Sequence, residues 1–426
     1  MSSLHALLDP SAPATSAAAP ASPTPARAPR GTPRRITTDA EAIAAAQRYA
    51  AQIAPGAVQR DRERQLPWDE LDDFVATGLW TITIPRAYGG PGLSAGTLAE
   101  VTALVSAADG SLGQIPQNHF YALEVLRVGG SEAQKRFFYG RALAGERFGN
   151  ALAEISHRDF QRRTRLVPDG AGGFRVHGQK FYCTGALFAH WIPTLSVVQE
   201  GDRNITYLAF LPRTAEGVHI TDDWDGFGQR VTGSGSVRFD GVQVDAPSVV
   251  PFLASFERPT PIGPLAQLLH ASIDLGLARG AFAAMLPYLR EHARPWIDAG
   301  VERAADDPLL LQQVGDIAVG IRAAEALVRR AARFVDAAQA DATERSVAEA
   351  SIAVAEARAL TTTASLDAGT RLFELAGTSA TVGQQGLDRF WRNARTHTLH
   401  DPVRWKYHAV GNFHLNGRIP PRHGAL

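Results

Sequence analysis

Side chains that can move protons or bind anions concentrate in one segment near the C-terminus, Phe390–Lys406 (FWRNARTHTLHDPVRWK). An imidazole exchanges protons near neutral pH, and a guanidinium binds carboxylates or phosphates. His397 and His400 are three residues apart, so they share a face if the segment is helical. Pro402 lacks an N–H and biases Asp401 away from helical conformation, so we expect the helix to end near His400. The same residues also fit an ordinary helix end whose arginines bind carboxylates, and the segment alone leaves both interpretations open.

The elements that would position this segment begin with an all-helical block. Alanine-rich and amphipathic spacing predicts its helices, and Gly113–Asn118 is predicted to be a loop. The predicted helices are Thr37–Ala54, Asp69–Gly78, Leu98–Ala108, His119–Val128 and Ser131–Ala144.

Short runs rich in β-branched and aromatic residues follow, and they predict a small antiparallel barrel or sandwich. These runs are Phe174–Val176, Lys180–Cys183, Ile192–Val198, Ile205–Leu211, Val218–Thr221 and Ser236–Val244. Long helical patterns then predict a bundle at Gln267–His292, Leu309–Ala338 and Glu344–Leu375.

We therefore predict an α+β fold with five segments. They are a disordered leader (1–36), an N-terminal helical domain (37–146), a middle antiparallel β-barrel domain (147–256), a C-terminal four-helix bundle (257–408) and a C-terminal tail (409–426).

Composition excludes several classes of function. The chain has 426 residues, with 43 basic and 43 acidic side chains, so a nucleic-acid surface is not expected. The single cysteine, Cys183, excludes a disulfide framework. No apolar run reaches the roughly 18 residues of a membrane span. The leader lacks a continuous apolar stretch, which speaks against a secretory signal and favours a cytoplasmic protein.

Several motifs occur together in this helix–strand–helix order. Ile84-Pro85 with Tyr88-Gly89-Gly90, Gly178–Gly185 (GQKFYCTG) and Val242–Val244 before Pro247 resemble segments of the acyl-CoA dehydrogenase fold. The resemblance covers about Thr37 to His408, and the set of motifs in this order is specific although each alone is weak.

The chemistry-bearing segment departs from the dehydrogenases, which need a carboxylate base near the last helix. Here the corresponding stretch is His397–Pro402 (HTLHDP), and its only acid, Asp401, precedes a proline. With Gly149-Asn150, Cys183–Gly185 and Asp222–Trp224, this stretch resembles the flavin-dependent monooxygenases of the same fold, including dibenzothiophene monooxygenase. SLGQIPQNHF, RPWIDAGVERA and RTHTLHDPVRWKYHAVGNFHLNG are similar to the sulfur-acquisition oxidoreductase family.

This resemblance implies a reduced-FMN-dependent monooxygenase that forms a C4a-(hydro)peroxyflavin and oxygenates a small organosulfur compound. The protein would exclude water and orient the reactants. Two other enzymes stay open. One is a flavin N-hydroxylase acting on an amine or amino sugar. The other is an acyl-CoA dehydrogenase with a relocated base, which would need FAD.

The resemblance also implies roles for particular residues. Asn150 and Thr184 would face the reactive edge of the flavin, His400 would hydrogen-bond the peroxide, and His397 would position the ring or His400. The remaining candidates are His119 and Trp224 at the substrate, Tyr182 beside the flavin, and Arg294 and Arg371 at its phosphate, with Arg294 reaching a neighbouring subunit. Turn formation at Asn150 and core packing at Thr184, Tyr182 and Trp224 are the alternative interpretations.

Cofactor and partner expectations follow from the same resemblance. FMN is favoured, with FAD as an alternative. Because no GxGxxG follows a predicted strand, a separate NAD(P)H-flavin reductase would supply reduced flavin. A homotetramer is expected, with the tail from Gly411 reaching over a neighbour. No third ligand accompanies the two histidines of HTLHDP, so no metal site is predicted.

Overall fold

The computed structural model describes residues 27, 31–155 and 161–426 of the chain. Most of the predicted leader therefore lies outside the described residues. Among the described helices, none combines the length and apolar character needed to cross a membrane.

The N-terminal part is helical, as predicted. The Thr38 side chain caps the first helix at the Glu41 N–H, and Ser131 forms a capping box with Gln134. The loop predicted at Gly113–Asn118 is wrong, because Asp109 caps a short helix there and the next helix begins at Gln117. The helices are α1 (Asp39–Ile53), α2 (Ala57–Glu63), α3 (Trp68–Ala76), α4 (Ala95–Ala108), α5 (Gly110–Gln114), α6 (Gln117–Gly129) and α7 (Glu132–Leu143).

The middle part is one seven-stranded sheet in the order β5-β6-β2-β1-β3-β4-β7. Its strands are β1 (Arg165–Pro168), β2 (Gly173–Lys180), β3 (Trp191–Glu200), β4 (Arg203–Pro212), β5 (Val218–Thr221), β6 (Ser236–Asp245) and β7 (Val249–Pro251).

The predicted antiparallel barrel is wrong in two respects. β1 pairs in parallel with β3, through Arg165 and Val197, so the sheet is mixed. The described ladder runs from β5 to β7 without closing. The alternation of apolar residues identifies which face of a strand is buried but not which strand lies beside it. The predicted strand Lys180–Cys183 is instead a turn, because β2 ends at Lys180 and Tyr182 has φ +55°.

The C-terminal part is built on three long helices, and the three predicted helical patterns are confirmed. Gly276 and Gly280 let the first of them approach α4 closely, because a Cβ at either position would meet the backbone carbonyl of Ala103 or Ala107. The helices are α8 (Leu253–Phe256), α9 (Ile262–Glu291), α10 (Pro308–Ala340), α11 (Glu344–Ala376), α12 (Asp388–His397) and α13 (Arg404–Asn416).

The chain end differs from the predicted tail. Residues from 409 onward continue α13 as far as Asn416. The last residues then fold back on their own chain, where Gln267 donates to the Gly424 carbonyl (2.9 Å) and Lys406 donates to the Ala425 carbonyl (2.5 Å). These contacts place the chain end beside the first turns of α9.

Candidate active site

The two histidines of HTLHDP meet a third imidazole that the sequence analysis missed. α12 ends at His397, whose side chain is buried, and His400 lies in the turn that follows. His397 Nε2 lies 3.0 Å from His270 Nδ1 on α9. The His400 ring packs against the His270 ring with centroids 4.0 Å apart. Half of the His400 side-chain surface is accessible, so this imidazole is the open end of the group.

Two carboxylates flank these imidazoles, and both are engaged. Asp274 accepts from His397 Nδ1 at 2.5 Å and forms an ion pair with buried Arg358. Asp401 lies 3.5 Å from His400 Nδ1 and 3.8 Å from Lys406 Nζ. Neither acid is therefore free to abstract a proton from carbon.

Burial controls the charge of this cluster. Burial lowers the pKa values of His270 and His397 well below the ordinary histidine value, and nearby cations lower them further. Burial alone would raise the pKa of Asp401, but His400 and Lys406 lower it below the usual range. Burial lowers the pKa of Lys406 to about 8 and that of Arg358 to about 10. At neutral pH the two buried imidazoles are neutral.

Thr184 belongs to a buried chain of hydroxyl groups. Its Oγ1 lies 2.7 Å from Ser234 Oγ, which lies 2.7 Å from Thr232 Oγ1, and Thr232 donates to the Gln229 carbonyl at 3.0 Å. Each hydroxyl has one proton. Because Thr232 donates to Gln229, Ser234 donates to Thr232 and Thr184 donates to Ser234. Thr184 is thus left as an acceptor towards a ligand.

Gln229 joins this hydroxyl chain to the imidazoles. Its backbone N–H donates to Asn393 Oδ1 at 2.6 Å, and its side chain donates to the Gly110 carbonyl at 3.1 Å. Asn393 lies one helical turn before His397 on α12. Gln229 is buried with φ +48°, an uncommon conformation for a residue with a side chain. These bonds fix the β domain against α5 and α12.

Asn150 lies against the turn that presents Thr184. Its Oδ1 accepts from the Leu152 N–H at 2.9 Å, which leaves its amide group as a donor. A Cβ on Gly149 would lie 2.8 Å from Ala186 Cα, so the two segments touch through backbone. Cys183 in this turn is buried, and burial raises its pKa to about 12, so its thiol is not a nucleophile.

The aromatic candidates lie together at the edge of this turn. Tyr182 is 57% exposed and its ring meets that of Trp224 edge-on, with centroids 6.3 Å apart. Trp224 is half-buried and donates from its indole to the Gln229 carbonyl at 2.9 Å. The pair forms an accessible aromatic surface next to Thr184.

His119 does not lie where the sequence analysis placed it. Its ring is fully buried among Trp80, Phe120 and Phe148. Nδ1 accepts from the Phe148 N–H (3.2 Å), so the proton is on Nε2, which donates to the Trp80 carbonyl (3.0 Å). Burial lowers its pKa to about 3. Both ring nitrogens are used by backbone groups, so His119 is a structural residue rather than a substrate contact.

The two arginine candidates differ in availability. Arg294 follows α9 on the surface, is exposed, and has no partner among the described residues. Arg371 pairs with Asp316 at 2.7 Å and with Asp367 at 3.2 Å. Only Arg294 therefore presents a free guanidinium.

Three amide side chains were missed because the sequence analysis read their segment as a loop. Gln114, Gln117 and Asn118 are each less than 9% exposed, and Gln114 Oε1 is a buried side-chain atom with no hydrogen-bond partner among the described residues. Buried amides normally find partners, so unpaired ones indicate a place for a polar ligand. The signal that could have found them is their density in the run GQIPQN.

The position of these amides follows from two contacts. At the start of α5, a Cβ on Gly110 would lie 2.7 Å from Leu277 in α9. In α6, Tyr121 lies beside Gly424, whose carbonyl accepts a hydrogen bond from Gln267 near the start of α9. α5 and α6 therefore run antiparallel to α9. Interpolation between these two contacts places residues 114–118 alongside the part of α9 that contains His270 and Asp274.

A cavity of about 550 Å³ lies on another face of α12, between α2 and the loop around Phe227. Arg392 lines it and pairs there with Asp61 and Asp388. None of the three clustered histidines lines this cavity.

These features define a class of protein. The acyl-CoA dehydrogenase N-terminal domain family matches residues 37–146, and the acyl-CoA dehydrogenase C-terminal domain family matches residues 268–405. Butyryl-CoA dehydrogenase from Megasphaera elsdenii shares the fold at 15% identity (TM-score 0.79) and covers 88% of this chain and 98% of its own. The chain thus has the acyl-CoA dehydrogenase fold with imidazoles at its centre.

Closer relatives narrow the class. Dibenzothiophene monooxygenase from Rhodococcus erythropolis is 34% identical over 91% of this chain and 96% of the relative. The FMN-bound structure of TdsC from Paenibacillus sp. A11-2 is 32% identical with a TM-score of 0.86, covering 90% of this chain and 100% of that one. Methanesulfinate monooxygenase MsuC from Pseudomonas fluorescens is 30% identical with a TM-score of 0.83, covering 90% and 99%. The chain belongs to the dibenzothiophene monooxygenase family.

Proposed function

We propose that the chain is a reduced-FMN-dependent monooxygenase that oxygenates a small organosulfur compound in sulfur acquisition. The observation that carries this proposal is the imidazole cluster of His270, His397 and His400. A dehydrogenase of this fold needs a free carboxylate at this point, whereas Asp274 and Asp401 are held by cations and imidazoles. Imidazoles in a water-poor site suit proton handling during oxygenation.

The residues present fit FMN. Tyr182 and Trp224 offer an aromatic surface, Asn150 a donor, and Thr184 an acceptor at the same turn. Exposed Arg294 supplies the cation that a phosphate needs, and we infer that it serves the cofactor of a neighbouring subunit. We do not assign Arg371 to the phosphate, because Asp316 and Asp367 of the same chain pair with its guanidinium. When bound, reduced FMN would activate O₂, one atom of which is transferred to the substrate.

Residues of the chain itself would then have separate roles around the bound cofactor. Thr184, as an acceptor, suits an N–H of the reduced ring, and Asn150 donates on the other side of the turn. His400, at the accessible end of the cluster, donates a hydrogen bond to the activated oxygen. Trp224 walls the substrate side and helps to exclude water.

The buried amides support a polar substrate. Gln114, Gln117 and Asn118 carry amide N–H groups that suit the oxygens of a sulfinyl or sulfonyl group, and a flip of the Gln114 amide would bring its NH₂ group to the position of the unpaired Oε1. A purely aromatic thioether would leave the buried Gln114 amide unpaired, which costs about 1–3 kcal/mol. We therefore favour a small sulfinate or sulfone over a fused-ring thiophene.

Partners and assembly follow from this proposal. A separate NAD(P)H-flavin reductase would supply reduced FMN, and the protein would work in the cytoplasm as a homotetramer. Trp296, Ile297, Trp405 and Leu415 are 55–86% exposed apolar side chains on the C-terminal part, which supports burial between subunits. We also propose that α12 completes a four-helix bundle with α9, α10 and α11. We keep the leader, the N-terminal helical domain and the middle β domain as part of the proposal, and let the C-terminal helical part extend to the end of α13.

The proposal is tested with His400→Phe and photoreduced FMN. We expect the variant to bind FMN but to form at least tenfold less oxygenated product, because the donor at the accessible end is lost. His408→Phe, in α13 and outside the cluster, is the matched control. Unchanged product formation by His400→Phe would remove this residue from the mechanism.

The alternatives predict different results. An acyl-CoA dehydrogenase would hold FAD tightly and bleach anaerobically with an acyl-CoA thioester. An N-hydroxylase would convert amines or amino sugars in the same assay. No described feature of the site specifically favours either, so a panel of sulfinates, sulfones, thioethers and amines with a flavin reductase identifies the substrate.

A further inference from the structure

Asp274, His397 and His270 form one hydrogen-bonded line through the C-terminal part. Asp274 Oδ1 accepts from His397 Nδ1 at 2.5 Å, and His397 Nε2 lies 3.0 Å from His270 Nδ1. All three side chains are at most 2% exposed. The line begins at buried Arg358 and ends where the half-exposed His400 ring packs on His270.

The proton positions in this line follow from the hydrogen bonds at its buried end, where Asp274 meets Arg358. Arg358 and Thr362 both donate to Asp274 Oδ2, so this carboxylate accepts on both oxygens. His397 must then hold its proton on Nδ1. Since burial keeps His397 neutral, its Nε2 accepts and His270 Nδ1 donates. By elimination, His270 Nε2 is without a proton, and it has no partner among the described residues.

We propose that Asp274, acting through His397, is a positioning residue that holds His270 with an unprotonated Nε2 beside His400. This inference rests on the proposed function. The overall reaction of substrate, O₂ and FMNH₂ gives oxygenated product, FMN and water, so both hydrogens of the reduced cofactor leave as water. Protons must therefore cross the site. His270 accepts a proton at Nε2 from a donor in the site and returns it, while its Nδ1–H stays hydrogen-bonded to His397 Nε2.

The charges around His270 explain why the proton is held only briefly. α9 contributes Asp274, α11 contributes Arg358, the turn after α12 contributes Asp401 and His400, and α13 contributes Lys406. The two acids balance the two cations, so an added proton has no counter-ion of its own. A proton on His270 is therefore released readily.

The test uses His270→Phe, which keeps a ring against His400 but removes both nitrogens. We expect FMN binding within about twofold of wild type, at least tenfold less product per O₂ consumed, and a matching rise in H₂O₂. His270→Ala should recover product when imidazole is added, but not when benzene is added, and the recovery should follow the fraction of neutral imidazole with pH. His190→Phe is the control, because it removes an imidazole that bonds backbone groups and lies outside the cluster.

A second variant addresses Asp274 without leaving a buried charge unpaired. Asp274→Leu with Arg358→Met removes both members of the ion pair, so the proton on His397 is free to change nitrogen. We expect a smaller loss of product than in His270→Phe and a changed pH profile. Wild-type product yield and pH profile in both variants would overturn the proposal. Wild-type enzyme that makes no product from any sulfur compound would instead overturn the proposed function.

Discussion

At the residue scale, burial alone does not distinguish the roles of the histidines. His119 and His397 are both buried and neutral, yet His119 bonds only backbone groups and His397 bonds two titratable side chains. The sequence shows neither difference, because the partners Trp80, Asp274 and His270 are distant along the chain. A histidine is therefore assigned to a mechanism by what its two nitrogens bind.

His119→Ala should destabilise the protein by about 2–5 kcal/mol, because it leaves a cavity and two unpaired backbone groups. Activity per folded molecule should remain. Chemical denaturation gives the stability, and FMN titration confirms the folded fraction. His119→Gln keeps a donor and an acceptor, so its free energy of unfolding should fall by less than that of His119→Ala. A folded His119→Ala protein without activity would contradict the structural role and indicate that His119 acts at the substrate.

Stability should fall as the pH drops below about 6.5. The pKa of His119 is about 3 in the folded chain, and those of His270 and His397 are lowered too, so the unfolded chain binds more protons between these values. Each buried histidine contributes up to about 1.4 kcal/mol per pH unit. Denaturation at pH 7.5 and 5.5 should show His119→Gln with a shallower pH dependence than wild type, and an equal slope would contradict this assignment.

At the element scale, local patterns predicted more than long-range ones. Helix caps and helical periodicity are local features of the sequence, so the helices that they mark were predicted. Examples are the caps Thr38 and Ser131 and the apolar periodicity of α9, α10 and α11. The parallel pairing of β1 with β3 depends on contacts across the sheet, which periodicity does not contain. α5 was missed because glycine and proline in GQIPQN are typical of loops, and the amides were missed with it.

The contact between the Asn150 segment and the Thr184 turn should tolerate no side chain at Gly149. Gly149→Ala would place a Cβ 2.8–2.9 Å from Ala186 and Ala189, so the two segments must separate. We expect FMN affinity to fall at least tenfold, measured by fluorescence titration. Gly140→Ala on α7 meets no atom within 4 Å and is the matched control. Equal FMN affinity in both variants would mean that this contact does not shape the cofactor site.

At the scale of the whole molecule, Arg294, which we propose as the phosphate contact, has no partner among the described residues. This residue lies on the surface after α9, near exposed Trp296 and Ile297. A site completed by a second copy of the chain accounts for both the exposure and the missing partner. Assembly and cofactor binding should therefore be linked.

Light scattering should give a tetramer, and Arg294→Ala should weaken FMN binding at least tenfold without changing the tetramer, because a charge-assisted phosphate contact is lost. Arg371→Ala is the control, since its guanidinium is paired within its own chain. A monomer that binds FMN as tightly as wild-type tetramer would contradict the shared site.

We propose that imidazoles, in place of a carboxylate base, make this fold an oxygenase. The most direct measurement supplies reduced FMN, ¹⁸O₂ and an alkanesulfinate or sulfone to the purified protein and analyses the product by mass spectrometry. We expect one ¹⁸O atom in each product molecule. Product oxygen that comes from water, or an acyl-CoA that reduces the bound flavin without O₂, would contradict it.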